Sequence, residues 1–445
     1  MTELQQTVTF AVFAAVLLCT TTSWLDMAVA ALLGVSALTL FGIFDHQDIL
    51  EAARNADGSL ALLFAGMVMA RVLEPTKIFD HLGTRFLRLT KGSGKRFLLG
   101  LVALVSTLCA FLPNATTVVL LAPVIVRICC QLGVDFVGPM VLTAIASNSA
   151  GMLTLVGDPA TFMVGSAVGL SFNRYLLTMS LGGLLALLVL MALLPLLVGE
   201  IWRLRRELPG DLVPEPVRWP RLCGVLLGVL VGMIGLFVLG DGLPHPIVPP
   251  AASIIGASVA LLVVHGARME PITDVVRDVD WKTLIFLFCM FCLVQAVVKT
   301  GLVERFSTSM VETFGTNIAV VAIVVLVGVG VGSTVIANIP LVAAVLFLVK
   351  SYFVIAELLP EEALTRSFIA WPEAYLPVFA AMMFGGTLGG NATVIGASAN
   401  VVSAGICAAQ GQPISFLHFM RYGVPVTLAQ LVLGALYVQA MLLIL

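Results

Sequence analysis

Charge is what this sequence has least of. Only 11% of its 445 residues are Asp, Glu, Lys or Arg, against 60% hydrophobic ones, whereas soluble domains carry about 25% charged residues. That scarcity excludes a water-facing surface and places the chain in lipid. No basic excess exists either: the net charge is -2 and the few Lys and Arg sit between apolar runs, which argues against nucleic acid as a partner. No Lys or Arg precedes Arg54, so the charged start of a cleaved signal peptide is missing and the first apolar run is expected to be retained. The five histidines form no HExxH or other paired pattern, and there is no GxxxxGK[ST] loop. A membrane metalloenzyme and an intrinsic ATPase are therefore unsupported, and no cofactor is expected. The eight cysteines fall almost entirely inside apolar runs, where a thiol acts as a small hydrophobe. Cys289 and Cys292 read as packing residues rather than a zinc knuckle.

What is present is a succession of apolar runs. A bilayer core of about 30 Å needs roughly 20 apolar residues per helix, and runs fall at about 8–24, 27–43, 59–73, 97–130, 136–170, 175–199, 222–239, 247–264, 282–298, 317–356, 374–410 and 420–445. Arg203 to Arg221 is rich in Arg and Pro and reads as a linker. The chain then divides into residues 1–200, a cytoplasmic linker over 201–221, and residues 222–445. The loop from Glu74 to Arg96 carries Lys77, Arg85, Arg88, Lys91, Lys95 and Arg96, and the linker five arginines, so both are placed on the cytoplasmic side. Asp45 to Asp57, Asp241 to Pro250 and Glu357 to Glu362 are placed outside. Each half then crosses an odd number of times, which makes the halves inverted copies.

The sequence carries traces of that repeat. An offset of about 224 residues brings Leu60 to Met67 onto Thr283 to Met290, Thr76 to Asp80 onto Thr300 to Glu304, and Asn114 onto Asn338. An offset of 239 brings Thr154 to Gly157 (TLVG) onto Thr393 to Gly396 (TVIG), the additional 15 residues matching a polar insert near Glu357 to Trp371. Inverted repeats with unwound helices at the midplane belong to secondary transporters.

Four stretches could carry chemistry. In Ser147 to Thr161, Gly151, Gly157 and Pro159 interrupt an apolar run around Asn148, Thr154, Thr161 and the carboxylate Asp158. A broken helix there would free carbonyl and N–H groups for a solute, while a surface loop is the plainer alternative. Gly385 to Asn400 has four glycines in six residues followed by Asn391, Thr393, Ser398 and Asn400. Tight helix packing is the alternative for its glycines. The other two are the tips at Pro113, Asn114, Thr116 and Thr117, and at Ser333, Thr334, Ala337, Asn338 and Pro340. Each divides a run that is either two full spans or a re-entrant hairpin. Ionisable residues at membrane depth are costly and usually functional, so Asp158 is the candidate proton carrier, with helix capping as its structural alternative. Arg127 and Lys350 are candidates for supporting roles, and Arg71 and Arg127 can snorkel.

These motifs resemble a known superfamily. SNSAGMLTLVGDPATFMVGS and GGNATVIGASANVVSAG are similar to the two signatures of the ion transporter superfamily, in the branch holding arsenite efflux permeases, the melanosomal P protein and one type of sodium/proton antiporter. LPNATTVVLLAPV and ANIPLVAAVLFLVK resemble its hairpin-tip motifs, and WKTLIFLFCMFCLVQAVVKTGLVE the helix opening the second half. The resemblance implies an all-α polytopic membrane protein of the cell inner membrane, with two inverted repeats. Each would hold about five spanning helices, a re-entrant hairpin and a helix broken at the midplane. It implies an elevator-like movement and a homodimer, and leaves room for a soluble ATPase partner. By the same analogy Asn114, Thr116, Thr117, Asn148, Thr154, Asn338, Asn391, Thr393 and Asn400 bind substrate, and Asp158 couples protons.

One departure bears on the substrate. Many relatives have Asp before the tip Asn, where this chain has Pro113 and Ala337, so two cation ligands are missing. A mostly uncharged site suits arsenous acid, a neutral polar solute. The expectation is proton-coupled efflux of a small inorganic substrate, arsenite or antimonite; the alternatives are a sodium/proton antiporter and a sodium-coupled carboxylate or anion transporter.

Overall fold

The structure is a computed structural model, described over residues 3–22, 24–206, 216–365 and 368–444. The middle of the predicted linker, residues 207–215, lies outside the described residues. Helices make up the fold, and among the described residues nine are long and apolar enough to cross a membrane. Lipid offers no hydrogen bonds, so an apolar run must satisfy its own backbone and becomes a helix. The protein is a multi-pass membrane protein.

The first half runs α1 (Glu3–Thr21), α2 (Met27–Leu40), α3 (His46–Leu73), α4 (Ile78–Thr90), α5 (Gly94–Cys109), α6 (Asn114–Leu132), α7 (Val137–Ala150), α8 (Pro159–Ala167), α9 (Phe172–Thr178), α10 (Ser180–Leu197) and α11 (Gly199–Arg203). The second runs α12 (Pro220–Leu239), α13 (Pro249–Gly266), α14 (Ile272–Arg277), α15 (Trp281–Lys299), α16 (Leu302–Phe314), α17 (Ile318–Gly332), α18 (Asn338–Ile355), α19 (Leu376–Gly389), α20 (Ser398–Ala409) and α21 (Phe416–Ile444). From α3 and from α15 onward the same order follows: a long helix, a 13-residue amphipathic helix (α4, α16), a helix pair around an Asn tip (α5–α6, α17–α18), and two short helices around a break (α7–α8, α19–α20). All four long runs that contain the polar motifs are thus divided at those motifs.

Local chemistry sets the ends. Asp45 and Asp48 form a reciprocal capping box that starts α3, and Asp280 accepts from the Thr283 N–H to start α15. Each cap satisfies donors that the first helical turn leaves unpaired. Pro113 ends the α5 segment and Pro159 opens α8, since a proline lacks the N–H that a helix interior needs. In the second half, α17 and α19 approach backbone to backbone: a Cβ on Gly389 would stand 2.3 Å from the Gly330 carbonyl oxygen. Part of the glycine cluster is therefore packing, as small residues at membrane helix contacts usually are.

Candidate functional site

The two breaks lie inside the protein, with α7 and α19 buried along their whole lengths. Backbone leaving a helix at this depth needs new partners, and nearby side chains supply them. After α7, the Met152 and Leu153 carbonyls accept from the hydroxyls of Tyr175 (2.9 Å) and Ser180 (2.5 Å). At the second break, the Asn400 amide donates to the carbonyls of Gly390 (2.8 Å) and Thr393 (2.7 Å). The break is a loop between helices buried in protein, not a loop at the surface.

Each break is fastened to the neighbouring tip in the same way. The Thr154 hydroxyl donates to the Ala110 carbonyl, and the Thr393 hydroxyl to the Thr334 carbonyl. Both acceptors stand four residues before their tip asparagines, Asn114 and Asn338. Beside these bonds a Cβ on Gly157 would meet the carbonyl oxygens of Gly151 and Cys109 at 2.7 and 2.9 Å. One on Gly396 would meet those of Gly390 and Ser333 at 2.5 and 2.8 Å. Side chains are excluded there because backbone passes over backbone.

A cavity of about 230 Å³ opens where tips and breaks meet. Four helices start on it: α6 at Asn114, α8 at Pro159, α18 at Asn338 and α20 at Ser398. None of the four has a side-chain cap. Their free N–H groups and the positive ends of their dipoles therefore converge on one space, which favours negative charge. Within it stands one buried carboxylate, Asp158, whose Oδ2 accepts from the Asn338 amide (3.3 Å) and the Thr387 hydroxyl (3.2 Å). Asp158 holds the N-cap position of α8 without a side-chain bond into that helix. The Oδ1 of Asn114 is buried with no hydrogen-bond partner among the described residues, which leaves an acceptor open to a hydroxyl or water in the cavity.

The cavity mouth lies at the Arg71 end of α3, the side of the Lys- and Arg-rich loop, and carries Arg71, Glu74, Asp278 and Asp280. Arg71 forks onto Glu270 (3.0 and 3.1 Å) and bonds Asp278 (2.9 Å). Its hydrogen bond holds the Asp278 carboxyl below the usual carboxylate range. With three carboxylates against one guanidinium among those mouth residues, the opening is electronegative.

Of the residues expected at the site, Asn114, Thr116, Asn148, Asn338 and Asp158 line this cavity. Thr154, Thr393 and Asn400 sit behind it, bonded to the backbone as described. Asn391 is buried behind it too, bonded to Ser149 (3.1 Å) and Gln430 (2.9 Å), and Thr117 is buried within α6. Asn148 belongs to both sets: it faces the cavity while its amide donates to Asn391 (3.1 Å) and Asn400 (3.0 Å), joining the two halves. Sequence reasoning missed Thr387, although the offset of 239 that aligns the two TLVG-like motifs places it on Asn148. It also missed Gln430, whose signal was an amide in the middle of the long final apolar run.

Comparison with known proteins decides the family. The family model described as "Citrate transporter" matches residues 15–359, more than three quarters of the chain. The chain belongs to the citrate transporter family. An uncharacterised transporter of Synechocystis is 42% identical to this citrate transporter family member over 429 residues, covering 96% of this chain and 95% of that one. An uncharacterised transporter of Mycobacterium tuberculosis is 31% identical over 417 residues, covering 93% of each. The human P protein is 27% identical over 521 residues, covering 98% of this chain and 60% of its own length. The citrate transporter family member is accordingly a membrane transporter, within the ion transporter superfamily.

Proposed function

We propose that the protein is a proton-coupled secondary transporter of a small carboxylate, with citrate the first compound to test. The observation that carries this reading is the convergence of four uncapped helix N-termini on a cavity that also contains Asp158. Converging dipoles and N–H groups favour an anion. Asn114 and Thr116 supply uncharged donors for its further oxygens, while both N–H groups of Asn148 are held by Asn391 and Asn400. The family's description supports the same substrate class.

Asp158 gives the coupling. A carboxylate facing an empty anion site is stabilised by the dipoles and by Asn338 and Thr387; an arriving substrate carboxylate repels it. Protonating Asp158 removes that repulsion, so proton and substrate bind together, and their binding is reciprocally linked. Release to the cytoplasm passes the acidic mouth, whose charge disfavours rebinding. Two related halves in inverted orientation, with α5–α6 and α17–α18 as re-entrant hairpins, fit the recurring helix order and the two matching Thr-to-carbonyl ties. Tips and breaks would then travel as one body in an elevator movement against α3 and α15.

Arsenite efflux is the second reading, favoured by the uncharged amides and hydroxyls that line most of the cavity. The two separate in proteoliposomes with a pH-sensitive dye inside. Citrate added outside under an inward proton gradient is expected to accelerate acidification without sodium, and the Asp158→Asn protein to bind citrate without moving protons. Acidification driven by arsenite loaded inside the vesicles, with no response to citrate, would replace the first reading with the second, and a strict sodium requirement would remove proton coupling.

A further inference from the structure

A second cavity, of about 70 Å³, lies farther along three of the helices that line the first. On α3 the lining moves from Leu63 and Met67 to Asn55, Asp57 and Ser59. On α8 it moves from Pro159 to Phe162 and Ser166, and on α18 from Asn338 to Phe347 and Lys350. Asn338 and Lys350 are twelve residues apart, about 18 Å along a helix. The second cavity therefore lies toward the acidic Asp45 end of α3, the outer side by the distribution of Lys and Arg. Contacts between α3 and α8 separate the two. The Phe162 ring packs on Gly58, where a Cβ would stand 2.4 Å from the ring, and the Ser59 hydroxyl donates to the Pro159 carbonyl at 3.5 Å.

Lys350 is the unusual group in this cavity. It is 4% exposed. Its ammonium makes one long hydrogen bond, to the Thr365 carbonyl at 3.4 Å, and sits 5.7 Å from the centre of the Trp371 ring. Among the described residues no carboxylate lies within ion-pair distance of it; Asp57, on the α3 wall, accepts from the Gly58 N–H at 2.5 Å. At the offset of 224 the neighbouring basic residue of the first half, Arg127, falls on Ser351 and is exposed, so burial of the cation is particular to the outer side. A buried ammonium with so few partners is costly unless something negative visits it. The adjoining space has room for several waters or one carboxylate group.

We propose that this cavity is an outer vestibule site for a carboxylate group, with Lys350 as its cation, on the same track as the central cavity. The inference rests on the reading above for the substrate class. An anion arriving from outside is held at Lys350 until Phe162 and Gly58 part, and the N-termini of α8 and α18 then receive it.

The test uses a cysteine at Ser166, an exposed residue of the cavity wall, in the full-length protein with Cys19→Ser and Cys130→Ser; the other six cysteines are buried. Ser166→Cys is treated from outside with an anionic sulfonatoethyl methanethiosulfonate and with neutral methyl methanethiosulfonate, and each rate is normalised to that of 2-mercaptoethanol in solution. The expected result is reaction from outside with a preference for the anionic reagent of about ten-fold or more. That preference is expected to vanish with Lys350→Gln and persist with Lys350→Arg. An unreactive Ser166→Cys, the absence of anion preference in the protein with Lys350 intact, or a preference that survives Lys350→Gln would each overturn the proposal. The readout does not depend on transport: a protein that keeps the Lys350-dependent preference yet ignores citrate would retain the vestibule and lose the citrate reading. One that moves citrate without the preference would do the reverse.

Discussion

Asn338 and Asn114 occupy matching tips and face the same cavity, yet differ in what they do before substrate arrives. Asn338 already donates to Asp158, so Asn338→Ala removes a bond to a carboxylate as well as the proposed substrate contact. Hydrogen bonds to charged groups are worth about 1.5–3 kcal/mol. Because that bond favours the ionised, substrate-free form of Asp158, its loss is expected to shift the pH dependence of citrate uptake to higher pH; an unchanged pH profile would remove this role of Asn338. The Asn114 Oδ1 has no partner. Its loss costs the empty protein little, and Asn114→Ala is expected to leave the unfolding temperature nearly unchanged while weakening citrate binding about ten-fold, measured by calorimetry. A large drop in unfolding temperature would show that Asn114 serves the fold. Both asparagines and Asp158 were legible because a polar group inside an apolar run has no local reason to be there. Thr387 was not, because a threonine among glycines looks like packing.

The helix pairs and broken helices form a frame held by backbone contacts. Thr154→Val and Thr393→Val would each strand a carbonyl at a tip, and a buried acceptor left unpaired costs about 1–3 kcal/mol. Each variant is expected to lower the unfolding temperature in detergent and to slow citrate uptake, since the tip and the break would no longer move together. Unaltered uptake in both would remove their positioning role. Gly396→Ala is more severe: its Cβ would stand 2.5 Å from the Gly390 carbonyl oxygen, and backbone cannot yield as a side-chain end can. Loss of folded protein, read as a missing monodisperse peak, is the expected outcome. The sequence announced where the long runs would break, through Gly, Pro and Asn. That tips and breaks would touch depended on contacts between segments some 40 to 60 residues apart.

Across the molecule, the start of α3 is joined to the end of α15 by Lys299, which bonds Asp45 (2.9 Å) and Asp48 (2.6 Å). The bond from Lys299 holds the Asp45 carboxyl at about 2, below its ordinary 3.8. A carboxylate with a depressed value in the folded state adds stability above its unfolded value, and that contribution fades as pH falls from about 4 toward about 2. The unfolding temperature in detergent is therefore expected to fall as pH drops through that window, and Lys299→Met to flatten that part of the profile. A variant with an unchanged acid profile would show that the ion pair contributes nothing.

Membrane residence, the helical class, the places where helices break and the singular position of Asp158 were all legible in the chain alone. In lipid every apolar segment must satisfy its own backbone, so each span and each interruption is a local matter. Which polar residues face the cavity, and which lock the backbone behind it, only packing decided. A membrane helix is apolar all round, toward its neighbours and toward lipid alike, so its sequence carries little record of which side faces which. Thus Thr154, Thr393 and Asn400 became fastenings, Thr387 became a partner of Asp158, and four helix starts far apart in sequence came to share one cavity.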